Sequence, residues 1–221
     1  MSDSRAEIFS RLQRSRSDNN KRPAHKLCEE HIKTHKRGVL PAINQAVLDR
    51  FISKIKNVSV TYHCINNDAA LPGAVLEYIN EHNINPELVA APTLLFEKLD
   101  WSNLNKIEFR NAQDNDLTTL TLAYAAVAET GTLVLCSGPE SPTTLNFLPD
   151  NNICVVRQKD IYNYMEQVWD ILRNESAGLQ GNVMPRAINL ITGPSRTADV
   201  EQTIQLGAHG PRHLHIIILT D

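Results

Sequence analysis

Three short segments carry residue types whose spacing suits chemistry. The first is Ile191-Thr192-Gly193-Pro194-Ser195-Arg196-Thr197-Ala198-Asp199. It leaves an apolar run, turns at Gly193-Pro194, and reads as the start of a helix that Ser195 or Thr197 caps. The free N–H groups of a helix start attract a phosphate or carboxylate, and the Arg196 guanidinium can grip such a group through two hydrogen bonds. Asp199 and Glu201 fall in the same first turn and oppose an anion. The competing reading is therefore a capped junction with Arg196 paired to Asp199.

The second segment is Ala128-Glu129-Thr130-Gly131-Thr132. Glu129 closes the apolar run Leu122–Ala128, so its carboxyl is expected to be partly desolvated. Desolvation raises a carboxyl pKa and suits it to acid or base work. Thr130-Gly131 allows a tight turn with its N–H groups available. The plain alternative is a turn carboxylate that points to water. The third segment, Gly207-Ala208-His209-Gly210-Pro211, sets His209 between glycines. It reads as a helix-to-strand loop, with His209 a ligand or partner contact, or a loop imidazole without a role. The candidate set is Glu129 as catalytic residue, with Thr130, Gly131, Thr132, Gly193, Ser195, Arg196, Thr197 and His209 as ligand-binding residues.

Several chemistries lack their signatures. No GxGxxG follows a strand, no GxxxxGK[ST] is present, and there is no GxSxG elbow. Cys28, Cys64, Cys136 and Cys154 are far apart, so neither a zinc ribbon nor a local iron–sulfur motif is indicated. Cys64, Cys136 and Cys154 sit in apolar stretches and are expected to be buried as small hydrophobes. HExxH is absent. His213 and His215 alternate along a strand and share a face, but no third ligand is in view, so no metal site is expected.

These segments need a scaffold, and the pattern between them supplies one. The chain has 221 residues, 42% apolar and 21% charged, which is enough for a sizeable core. A capping box at Ser4–Glu7 opens a short helix to about Arg14. Residues 15–41, rich in charge and in Pro and Gly punctuation, read as an extended arm. A helical stripe follows at Ile43, Val47, Leu48, Phe51, Ile52 and Ile55. Beyond it, β-rich runs alternate with helical ones. Strands are expected at Val58–Ile65, Leu88–Ala91, Ile107–Phe109, Thr132–Cys136, Ile153–Val156, Ala187–Ile191 and His213–Leu219. Helices are expected at Asp68–His82, Ile161–Leu172 and Thr197–Leu206, and Leu117–Ala128 reads as a helix or a helix-to-strand segment. The result is an α/β, Rossmann-like fold: a mainly parallel sheet with helices on both faces. The division is an N-terminal helix and arm over 1–41 and an α/β domain over 42–221.

Charge is uneven. The net value is −3, yet residues 1–40 carry +5 and leave −8 for the rest. A basic arm can bind nucleic acid, but this one lacks interleaved aromatics and ranks last among the readings. The arm otherwise packs on the acidic body or on a partner. No apolar run approaches 18 residues and the first residues are charged, so a cytoplasmic protein without a membrane span is expected.

The stretches Ala128–Leu135, Leu145-Asn146-Phe147-Leu148-Pro149, Ile191–Glu201 and Gly207–Pro211 together resemble the LUD domain family, and within it the lactate-utilisation C group. The resemblance runs from about residue 40 to the C-terminus. It implies a fold similar to the sugar-phosphate isomerase and CoA-transferase group. It also implies a part in oxidising L-lactate to pyruvate beside two partner proteins that hold iron–sulfur clusters, this chain holding none. One position departs: where the family commonly shows a His after Leu-Pro, this chain has Asn152, which hydrogen-bonds but does not titrate near neutrality. The alternative function is a self-sufficient enzyme or binder of an anionic metabolite such as a CoA ester, sugar phosphate or folate-type ligand.

Overall fold

The computed structural model describes residues 7–11, 21–35, 37–178, 184–198, 204–206 and 209–220. Two compact units divide the chain at 41/42. The first holds helix α1 (7–11) and helix α2 (Lys21–Thr34). Much of the expected extended arm is therefore helical. Pro23 falls in the first turn, where a missing N–H costs nothing, and Glu29 precedes Lys33 at the helix-favourable i,i+4 spacing. Ser4 and Arg14 lie outside the described residues.

The second unit is built on a six-stranded, wholly parallel sheet. Its strands are β1 (Thr61–Ile65), β2 (Glu87–Ala90), β3 (Lys106–Phe109), β4 (Thr118–Leu122), β7 (Asn151–Arg157) and β12 (His213–Leu219), in the order β1-β12-β7-β4-β2-β3. A mixed sheet, ordered β8-β5-β6-β9, comprises β5 (Ala125–Val127), β6 (Thr132–Cys136), β8 (Ile161–Tyr162) and β9 (Ile188–Ile191). A separate hairpin pairs β10 (Arg196–Ala198) with β11 (Ile204–Leu206). The helices are α3 (Val47–Lys56), α4 (Leu71–Glu81), α5 (Leu94–Glu97), α6 (Thr144–Phe147) and α7 (Met165–Gly178).

The parallel sheet expected from the alternation is present, and its faces follow from side-chain parity. Ile217 and Leu219 of β12 join Ile153 and Val155 of β7 in a core with Leu71, Val75, Tyr78 and Ile79 of α4. Ile216, Ile218, Cys154 and Val156 point the other way, toward Phe51 and Ile55 of α3 and Leu133 and Leu135 of β6. One face is thus covered by α4 and α5, the other by α3 and the mixed sheet. A third cluster, Ala125, Val127 and Val134 with Val168 and Leu172 of α7, covers the outer side of the mixed sheet.

Three expectations are corrected. Leu117–Ala128 contains no helix: Thr118, Thr119 and Thr121 favour a pleated strand, and the chain passes from one sheet to the other at Ala123-Tyr124. The helix expected at Thr197–Leu206 is replaced by the β10–β11 hairpin, with Arg196 opposite Leu206; residues 199–203 lie outside the described ones. Of the thiols expected to be buried, only Cys154 is; Cys136 is half-buried, and Cys64 is exposed because β1 forms the sheet edge. Burial pushes the Cys154 thiol up to about 12.

Arg110, just after β3, grips Asp116 with two hydrogen bonds of 2.6 and 2.9 Å and also bonds Glu108. The Gln113 N–H adds a bond of 2.6 Å to Asp116. The Arg110 hydrogen bonds hold the Asp116 carboxyl below its ordinary pKa. A depressed carboxyl contributes stability above its unfolded pKa and loses it as pH falls through the native value. Asp116→Asn is expected to cost about 1–3 kcal/mol at pH 7 in urea unfolding, and its difference from the natural chain should start to shrink below about pH 4 and close only below the lowered native pKa of Asp116. Thiol labelling of the native chain should modify Cys28 and Cys64 and leave Cys154 until unfolding.

Candidate functional site

The Glu129 segment is the loop of a hairpin. Val127 of β5 pairs with Thr132 of β6, leaving four residues, 128–131, to make the turn. Gly131 takes φ of 73°, the left-handed conformation such a loop needs. Its N–H donates to the Val127 carbonyl at 2.9 Å, and the Glu129 N–H donates to the Asn163 carbonyl at 3.1 Å. The expectation of available N–H groups at Gly131 is therefore corrected: the turn closes on itself. Glu129 is half-buried and Thr130 exposed.

Strand β6 also pairs antiparallel with β9, setting Leu133 opposite Ile191. This brings together two segments sixty residues apart. The Thr132 hydroxyl bonds the Thr192 hydroxyl at 2.7 Å and the Thr130 hydroxyl at 2.6 Å. Beside this hydroxyl chain, the two loop glycines press on the end of α3 and on the turn that follows it. A Cβ on Gly131 would lie 2.8 Å from Lys54 Cβ and 3.2 Å from Ile55 N. A Cβ on Gly193, whose φ is 91°, would lie 3.1 Å from Val58 Cβ. The glycines of both motifs serve close backbone packing.

Among the described residues beyond Gly193 the chain enters strand β10 (Arg196–Ala198) where a helix start was expected. The Ser195 N–H donates to the Pro211 carbonyl at 2.8 Å, and the Ser195 hydroxyl accepts from the His209 N–H at 3.3 Å. Gly210 leaves room for this contact: a Cβ there would stand 3.5 Å from Ser195 Cβ and 3.7 Å from Phe147 Cδ1. The structure thus joins the Ser195 loop to the His209 loop through backbone and hydroxyl. Arg196 is exposed on β10 and meets no carboxylate among the described residues; Asp199, its expected partner, lies outside them. Thr197 falls on β10. The His209 loop follows β11 rather than a helix, and Gly207 and Ala208 lie outside the described residues.

Helix α6 and the neighbouring strand β7 carry buried amides outside the candidate set. Asn152 is buried on β7 and donates to the Leu145 carbonyl at 3.2 Å and to the Thr119 hydroxyl at 2.9 Å. Thr119 donates to the same carbonyl at 2.8 Å. Two side chains of the parallel sheet therefore hold α6, and Phe147 of α6 reaches Gly210. Asn152 is thus an amide that positions a helix. Asn146 is also buried, with both amide atoms unpaired among the described residues. A buried amide in that state marks a place for water, a ligand or a functional contact. Its signal in the sequence was the polar residue inside Leu145–Pro149.

A LUD domain model matches residues 48–219. Among curated relatives, the chain is 38% identical over 102 residues to lactate utilization protein C of Geobacillus thermodenitrificans, covering 46% of this chain and 42% of that one. It is 36% identical over 102 residues to lactate utilization protein C of Bacillus subtilis, again covering 46% and 42%. An uncharacterised protein of Neisseria meningitidis is 40% identical over 97 residues, 44% of this chain and 40% of that one. The matched segment spans about two fifths of each relative's length. The crystal structure of a DUF162 family protein from Deinococcus radiodurans superposes with a TM-score of 0.58 at 23% identity, covering 81% of this chain and 99% of that chain. That likeness establishes the fold.

Gly131→Ala and Gly193→Ala are each expected to lower stability by about 1–2 kcal/mol from the left-handed backbone alone, and by more where the new methyl meets α3. Gly138, with open space around its Cα, is the control: Gly138→Ala should stay within about 0.5 kcal/mol in the same urea titration.

Proposed function

The chain belongs to the LUD domain family, and from that premise we propose that it serves L-lactate utilisation as a subunit working beside two iron–sulfur partner proteins. The observation that carries the reading is the junction at Thr132–Thr192, 2.7 Å between hydroxyls, which brings two of the four segments of the family resemblance together. Converting lactate to pyruvate removes two electrons and two protons. Only three of the four cysteines lie within 42–221, fewer than the four thiolates of a usual cluster. The electrons therefore pass to clusters held by the partners, and this chain contributes binding and positioning. Glu129 supplies a half-buried carboxylate at the rim of the hairpin for proton transfer, and Arg196 a cation for the substrate carboxylate.

Arg196 also sustains a second reading, a self-sufficient binder of an anionic metabolite, because its exposed guanidinium meets no carboxylate among the described residues and can take one from a ligand. The two readings separate by experiment. A strain lacking this chain should fail to grow on L-lactate as sole carbon source and grow normally on pyruvate, with growth restored by the natural chain. Equal growth on both carbon sources would sink the lactate role and leave the second reading. Arg196→Ala should abolish rescue while leaving the melting temperature unchanged, since Arg196 is exposed and supports no packing.

A further inference from the structure

The edge of the parallel sheet nearest α4 breaks two electrostatic rules at once. Glu77 and Glu81 stand one turn apart on α4, the i,i+4 spacing at which like charges repel. Glu81 ends this 11-residue helix, where the peptide dipoles present negative charge and favour cations, and Glu77 lies one turn before it. The last turn carries no lysine or arginine, and neither carboxylate meets a cationic side chain among the described residues. A local arrangement that costs stability without an internal compensation points to a use.

His63 of β1 completes the arrangement. One ring nitrogen of His63 and one carboxylate oxygen each of Glu77 and Glu81 all lie within 4.8 Å of one another. Beside His63 is a second, independent sign. The ring of His215, 1% exposed, stands edge-on to His63 with centroids 5.0 Å apart and stacks on Tyr78 at 4.1 Å. Its Nδ1 bonds the Thr61 hydroxyl at 2.8 Å, while its Nε2 is buried with no partner among the described residues. His63 Nδ1 is likewise buried and unpartnered. Two adjoining imidazoles each with a buried, unpartnered nitrogen among the described residues, one of them grouped with the exposed carboxylates of Glu77 and Glu81, point to a ligand that accepts electron pairs and carries positive charge.

We propose that His63, Glu77 and Glu81 form a binding site for a divalent transition-metal cation of the zinc class. One imidazole with two carboxylates suits a borderline cation better than magnesium or calcium, which take oxygen ligands. The cation offsets the repulsion between the two glutamates and the negative end of α4 together. Three protein ligands leave a coordination position for water or an exogenous oxygen ligand. Sequence spacing did not show this set, because strand β1 and helix α4 meet only in the folded sheet. The site stands apart from the Thr132–Thr192 junction and does not depend on the lactate reading.

The test uses the full chain, dialysed against chelator, with zinc as the probe and magnesium and calcium as comparisons. Calorimetry should give one zinc per chain and thermal unfolding should move upward with zinc. Glu77→Gln and Glu81→Gln should each weaken binding at least tenfold, since even outer-sphere losses at metal sites reach 10–100-fold. Glu81→Lys should do two opposite things: remove the zinc response and raise the metal-free melting temperature by pairing with Glu77 and meeting the helix dipole. His209→Ala should leave binding intact. Stoichiometric zinc binding that survives Glu77→Gln and Glu81→Gln, or no upward shift with zinc in the natural chain, would overturn the proposal.

Discussion

The strand His213–Leu219 is the constraint on which the rest hangs. It lies between β1 and β7 and pairs parallel with both, so its backbone is satisfied on two sides. Ile216, Ile217, Ile218 and Leu219 are fully buried, alternating between the α4 face and the α3 face. Each such side chain contributes roughly 1.5–3 kcal/mol of burial, and one strand feeds both major cores. Its hydrogen-bond partners come from chain positions some 60 and 150 residues earlier. The sheet therefore cannot close until the last strand arrives, and long-range parallel pairing of this kind is slow to form.

Around that strand, the second sheet does a different task. The β5–β6 hairpin leaves the parallel sheet at Ala123-Tyr124 and lies across its α3 side. Its tight loop at 128–131 runs up against Lys54 and Ile55 of α3, and the β9 exit at Thr192-Gly193 against Val58 just beyond it, both at positive-φ glycines where a Cβ would crowd its neighbours. The motif glycines are thus read through packing. What remains available for chemistry at the junction is side-chain material: the threonine hydroxyls, the Glu129 carboxylate and the Arg196 guanidinium. Behind it, the buried Asn152–Thr119 pair fixes α6 and with it Phe147 against Gly210. A polar group buried with its partners in place holds a segment firmly, because breaking any bond leaves an orphan in low dielectric.

Much of this was legible before folding. The parallel sheet followed from alternating apolar runs of strand length, with the runs Ile153–Val156 of β7 and Ile216–Leu219 of β12 continuously apolar because both faces are covered. The family followed from the segments 128–135, 145–149, 191–201 and 207–211, and the matched region 48–219 bears that out. The hairpin β10–β11 was not legible: the helix read at Thr197–Leu206 rested on cap residues after Gly193-Pro194, and propensity is a weak prior that tertiary pairing overrides. The exposed Cys64 was missed for a related reason. Its neighbours are apolar, but which strand forms a sheet edge is a property of topology.

What the sequence determined by itself was local and periodic: strand against helix over most of 42–221, the turn at Gly131, and the residue types on offer at Glu129, Arg196 and His209. Those depend on neighbours within a few positions, whose spacing is written in the chain. Only the tertiary structure decided which of them meet. It joined Thr132 to Thr192 through the β6–β9 pairing, consumed the Ser195 and Gly131 N–H groups in internal hydrogen bonds, and brought His63 to Glu77 and Glu81. The reason is that register and face, once set by burial of β12, carry distant side chains to one place, and no local pattern encodes that distance.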